Sequence, residues 1–194
     1  RPCASGARCG SFSGRGGTTK VRMRKVVVAV LLCLTLAGAG QAKDTVLTVA
    51  QVADISNIDP QRINDVYSAN VVRQIYNGLV AMDDRIRIRG DLATSWENPD
   101  AKTWIFHLRK GVKFHNGDEL RASDVKFTIE RILDQKTASP GTLHVREIAS
   151  VETPDAYTVK IATKNAFAPL LSSLSRYELS VLNEKATKAG GDAY

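Results

Sequence analysis

The segment from Thr103 to Phe114 narrows the fold more than any other feature of the chain. Trp104, Phe106 and Leu108 alternate with Ile105, His107 and Arg109, and a period of two places one set on the buried face of a β-strand. Lys110-Gly111 interrupts the run, and Val112 and Phe114 resume it. Asn116-Gly117-Asp118 follows as a tight turn, since Asn and Gly tolerate positive φ. Ser123-Asp124 opens a helix: Ser123 is placed to cap free N–H groups, and Asp124 sits at the positive end of the dipole. Val125, Ile129, Ile132 and Leu133 recur at helical spacing as one apolar stripe. The unit from Gly90 to Leu133 thus reads as loop, strand, turn, strand and capped helix.

The flanking sequence adds elements of both kinds. Thr45 to Val52 is β-branched and apolar, which predicts a strand. Asp54 to Arg62 is a loop with Asn57, Asp59 and Pro60 as turn residues and Ile58 as an isolated apolar plug. Val71, Val72, Ile75 and Tyr76 predict a helix over 68–76, ended by Asn77-Gly78 in the left-handed conformation. Asp83-Asp84 turns into an alternating strand over 85–89, whose arginines face solvent. Ala93 to Glu97 reads as loop, with Trp96 over the sheet edge. Val145 to Val151 and Ala156 to Ala162 predict a second hairpin turning at 152–155, with Tyr157, Val159 and Ile161 buried. Ala166 to Leu174 is a short helix, Ser180 to Asn183 a further strand, and Lys185 onward an unstructured tail. This order suits a mixed α+β domain and excludes a helical bundle.

A net charge of +7 invites a nucleic-acid or anionic-membrane reading, which its distribution removes. Seven of the 27 Lys and Arg, and none of the 20 Asp and Glu, fall in residues 1–42, so the remainder is balanced and carries no nucleic-acid footprint. Cys3, Cys9 and Cys33 also lie there, which leaves the body without a disulfide framework or a thiolate metal site. Met23-Arg24-Lys25, the apolar run from Val26 and the small residues through Ala42 have the order of a secretory signal peptide. The reading is therefore an extraneous extension over 1–22, a signal peptide over 23–42 cleaved after Ala42 (Ala39 is the alternative), and a periplasmic body over 43–194. An uncleaved anchor and lipidation at Cys33 are competing readings, the latter weakened by Leu31 and Leu32 before the cysteine.

Candidate chemistry is sparse. His107 lies on the outward strand face and His115 beyond the break; a metal pair would need both to converge with a third ligand. Exposed or hydrogen-bonded histidine is the plainer reading. Asp83-Asp84, Asp118-Glu119 and Asp124 occupy turns and a helix start, where capping accounts for them. No phosphate loop or nucleophile elbow is present in the sequence, and Ser56 reads as a turn residue rather than a nucleophile. No cofactor is expected.

Several segments, in order, resemble the family 5 extracytoplasmic solute-binding proteins, the peptide and nickel receptors of ABC importers. Asn57-Ile58-Asp59-Pro60 is similar to the family's LDP loop, Ile75 to Val80 to IYEGLV, and Leu92 to Trp96 to LAESW. Trp104 to Gly117 is similar to YTFxLRxGVKFHDG, and Ala122 to Thr128 to TAEDVVFS. The resemblance implies the N-terminal part of a two-lobed, type II periplasmic-binding-protein fold, with the second lobe and the usual acidic anchor outside the chain. It implies a monomeric receptor, not an enzyme, that closes on a peptide and delivers it to a membrane permease and its ATPase subunits. A nickel or metallophore receptor of the same family is the alternative, and a secreted hydrolase the outside rival. By the same resemblance, Asp54, Ile55 and Ser56 fall where relatives expose main chain to an extended ligand. His144 falls where some oligopeptide receptors place a ligand-facing tyrosine.

Overall fold

A four-stranded antiparallel sheet carries the fold. The computed structural model describes residues 46–190, so the readings of the leader lie outside the described residues. Among those residues no helix is long and apolar enough to cross a membrane. In chain order the elements are α1 (Val66–Ile75), β1 (Val80–Met82), β2 (Ile88–Gly90), β3 (Ala93–Asp100), β4 (Thr103–Leu108) and α2 (Ala122–Leu133). There follow α3 (Thr142–Val145), β5 (Ile148–Asp155), β6 (Thr158–Thr163), α4 (Leu170–Leu174), a 3₁₀ turn at Tyr177–Leu179 and α5 (Glu184–Gly190). The sheet runs β3-β4-β6-β5, and β1 pairs with β2 as a separate hairpin.

The alternation in β4 does what its period requires. Phe106 and Leu108 are buried, Trp104 is half-buried, and β4 lies between β3 and β6 with Trp96 opposite Phe106 and Val159 opposite Phe106 on the other side. Helix α2 packs over β5 and β6, and its Val125, Ile129 and Ile132 join Phe106, Val159, Ile161, Leu170 and Leu174 in one core. Leu133, the fourth residue of the expected stripe, is exposed. Gly111 and Gly117 both take positive φ, +74° and +89°. The second closes the turn through Gly117 N–H donating to the Phe114 carbonyl at 2.9 Å.

Several expectations are corrected. The apolar segment at 46–52 forms no strand, and Val46, Leu47, Val49 and Val52 are exposed; a strand needs a partner, and none pairs with it among the described residues. Ala93 to Glu97 is strand rather than loop. Its backbone is recruited by β4, and its edge position tolerates Pro99 near the turn. The strand expected over 85–89 starts only at Ile88: over 85–87 the chain turns, with Asp83 accepting from the Arg85 and Arg87 backbones and Ile86 at φ +62°. Ile58 is exposed, and Pro60, Gln61 and Ile63 are buried instead.

Helix boundaries shift for local reasons. α1 ends at Tyr76 in an extended conformation, not a left-handed one. α2 is opened by Arg121, whose N–H donates to Asp124 Oδ2 at 2.9 Å, so Asp124 rather than Ser123 does the capping. The second hairpin turns at Ala156-Tyr157, because 152–155 continue β5. The predicted helix over 166–174 shortens to α4. Ser180–Asn183 is buried and extended but outside the sheets: Val181 N–H donates to the Asn77 carbonyl and Leu182 N–H to Thr128 Oγ1. The expected tail begins with α5, held by Lys188 to Glu184 at 2.6 Å.

Candidate ligand-binding cleft

A cleft of about 640 Å³ opens where four regions meet. α1 contributes Arg73 and its C-cap Tyr76, and the β1–β2 hairpin contributes Met82 and Arg89. α3 contributes His144, and the segment from α4 into the 3₁₀ turn contributes Ser172, Arg176 and Tyr177. Its volume falls in the range of small-molecule sites, ~300–1,000 Å³.

The wall carrying His144 is fixed from beneath. Thr142 Oγ1 donates to the Ser139 carbonyl at 2.8 Å and the Ile132 carbonyl at 2.9 Å, which ties the loop to the end of α2. Gly141 presses against buried Glu178, where an added Cβ would stand 2.9 Å from the glutamate's Cβ. Glu178 in turn holds Arg176 through a two-pronged ion pair at 2.8 and 3.2 Å. Burial, and then the positive charge of Arg176, hold the His144 imidazole below its ordinary pKa of 6.5, with Glu178 pulling the other way. His144 is therefore neutral at pH 7, able to donate through one ring nitrogen and accept through the other. Across the cleft, Asn77 Nδ2 donates to both Asp91 carboxylate oxygens at 3.0 and 3.1 Å.

The Asp54–Ser56 loop sits elsewhere, at the start of α1. Ser56 N–H donates to Ser68 Oγ at 2.9 Å, and Ser56 Oγ–H donates to Asp65 Oδ2 at 2.8 Å. Asp65 caps α1 by accepting from Ser68 N–H at 2.8 Å. That bond first, and the Ser56 and Ser68 hydroxyls next, hold the Asp65 carboxyl below the usual carboxylate range. The Ser56 hydroxyl is thus engaged by the residue that caps α1. Ile55 N–H bonds to Asp54 Oδ1, and Asp54, Ile55 and Ser56 are exposed. The structure does not bring His144 together with this loop. They sit by opposite ends of α1, whose ten residues span about 15 Å at 1.5 Å per residue.

The other histidines have separate surroundings. His107 Nε2 lies 3.3 Å from Glu97 Oε1 on the sheet, and His115 lines a second groove of about 240 Å³ with Val112 and Phe114. Sequence reasoning did not find Arg73, Arg89 or Arg176, because the cleft is assembled from segments distant in the chain. The only local signal was the arginine row at 85–89, which the structure divides: Arg87 pairs with Asp83 at 2.8 Å, whereas Arg89 faces the cleft.

The comparisons with known proteins agree with this architecture. The family model for bacterial extracellular solute-binding proteins, family 5 (middle) matches residues 87–193, just over half of the chain. The periplasmic oligopeptide-binding protein OppA of Haemophilus influenzae is 32% identical over 160 residues, covering 73% of this chain and 30% of its own. Its crystal structure in complex with RPPGFSPFR superposes with a TM-score of 0.69 over 73% of this chain and 31% of its own. The glutathione-binding protein GsiB of Shigella dysenteriae is 28% identical, over 86% of this chain and 32% of its own. NikZ from Campylobacter jejuni, solved with Ni(L-His), is 28% identical with a TM-score of 0.64, over 70% and 27%. The chain thus spans about 30% of the length of these relatives, and its mixed helix-and-sheet fold is part of the two-lobed periplasmic binding-protein architecture. On the family match, the order of its elements and the shared fold, the chain belongs to the family 5 bacterial extracellular solute-binding proteins.

Proposed function

We propose that the chain is the N-terminal part, over residues 43–194, of a periplasmic receptor that captures short peptides for an ABC importer. On this reading residues 23–42 are a signal peptide cleaved after Ala42, and the receptor is a monomer that passes its cargo to a permease and its ATPases. The observation that carries it is an open cleft with hydrogen-bonding side chains from four regions, in a chain whose relatives include an oligopeptide-binding and a glutathione-binding protein. On this reading the Asp54–Ser56 segment, exposed at one end of α1, offers its carbonyl groups to an extended ligand, its Ile55 and Ser56 N–H groups being bonded within the protein. At the other end His144 presents a neutral imidazole.

The test is an NMR titration of the chain with tri- to hexapeptides, mono- and disaccharides, and Ni(L-His), each to millimolar concentration. Saturable shifts with the peptides alone support the reading, and their absence overturns it. A nickel-complex receptor is the second reading, favoured by the likeness to NikZ and by a histidine in the cleft. Saturation by Ni(L-His) with no response to peptides would select it.

A further inference from the structure

We propose that the cleft recognises a carboxylate of its ligand through Arg73 and Arg89. This deepens the peptide reading and rests on it. The two guanidiniums reach the cleft from different elements, α1 and β2, and among the described residues neither has a carboxylate within ion-pair distance. The contrast with the neighbouring cations is direct. Arg87 is held by Asp83 at 2.8 Å, and Arg176 by buried Glu178 at 2.8 Å. Arg73 instead lies over the Tyr177 ring, 5.5 Å from its centre. A cation over a ring face uses the face of the guanidinium, so its N–H edge remains available for a planar acceptor. Arg89 stands on the outward side of β2, opposite Ala81 in the register, and its charge is felt by Asp83 at the hairpin end.

The acidic groups nearby are already engaged. Asp91, on the cleft wall, accepts two bonds from Asn77, and Glu178, behind it, is bound by Arg176. The partner of Asp91 is a neutral amide, so the cleft sets the guanidiniums of Arg73 and Arg89 against one carboxylate and keeps an excess of positive charge, together with the hydroxyl of Ser172 and the imidazole of His144. The guanidinium fork matches a carboxylate with two parallel bonds. A free peptide C-terminus and an acidic side chain share that chemistry.

Three probes separate the possibilities: N-acetyl-Ala-Ala with a free carboxylate, its neutral amide, and N-acetyl-Ala-Glu-amide with only a side-chain carboxylate. Each is titrated against the chain by NMR, and against R73Q, R89Q and R85Q, the last removing a charge from the turn outside the cleft. The expected result is that the free acid binds at least about tenfold more tightly than the amide, the effect of one charge-assisted bond. R73Q and R89Q erase that preference and R85Q keeps it. If the glutamyl amide matches the free acid, the site takes any peptide carboxylate; if it matches the neutral amide, the site takes the C-terminus. Equal binding of acid and amide, or a preference surviving in R73Q and R89Q, overturns carboxylate recognition and leaves peptide capture standing. No binding of any probe, with longer peptides silent as well, overturns both. Thermal melts of each variant, expected within a few degrees of the parent for these exposed positions, separate lost recognition from lost folding.

Discussion

Asp59 and Arg131 are 72 residues apart in the chain and 2.7 Å apart in space. Arg131 also donates to Gln61 Oε1 at 2.7 Å, while Gln61 Nε2 donates to the Thr128 carbonyl at 2.9 Å. Asp59 and Gln61 are fully buried, so this network bolts the loop before α1 onto α2. Arg131→Ala removes the shorter ion pair of buried Asp59 and leaves it the longer one to Arg62 at 3.7 Å, which is expected to cost roughly 3 kcal/mol, read as a lower urea midpoint at unchanged slope. His144 gives a pH test. Its folded pKa is depressed, so between that value and 6.5 the unfolded chain binds more protons. Its contribution to stability is complete above about pH 6.5 and is lost as pH falls through the folded pKa. His144→Gln should flatten the melting temperature against pH in that window, and an unchanged slope would contradict the assignment.

Among the elements, the sheet depends on β4. Phe106→Ala opens a cavity at the centre of the core and should destabilise by about 3–5 kcal/mol, whereas His107→Ala on the opposite face should stay within ~0.5 kcal/mol. Chemical denaturation of the two variants checks the assignment of faces. Gly141→Ala tests the seating of the His144 loop. The new methyl meets Glu178, and overpacking of this kind costs ~1–3 kcal/mol. β4 and α2 were legible in the sequence because their periodicities are local. β3 was not: its Ser, Glu, Asn, Pro and Asp carry loop chemistry, and only pairing with β4 makes them a strand. The reverse error fell at 46–52, whose β-branched residues promise a strand that finds no partner among the described residues. At the cleft, the resemblance implies a ligand-facing position for His144, which lines it, and implies none for the arginines. Arg73 and Arg176 belong to segments whose proximity is set by packing, and nothing in their neighbours' spacing announces it.

At the scale of the molecule, the chain spans about 30% of its relatives, which are two-lobed proteins. Binding proteins of that kind close around a hinge, and closure excludes water and adds contacts from both sides. Residues 43–194 alone are therefore expected to bind dipeptides more weakly than micromolar; calorimetry showing micromolar or tighter affinity would contradict this. We propose that an extended ligand lies along α1, from the Asp54–Ser56 segment to the cleft at His144. The most direct measurement is the amide and arginine side-chain NMR spectrum of the chain during titration with a pentapeptide. Shifts are expected to saturate together at Asp54–Ser56, His144, Arg73 and Arg89. Shifts confined to the groove lined by Val112 and Phe114, or no shifts at millimolar peptide, would contradict it.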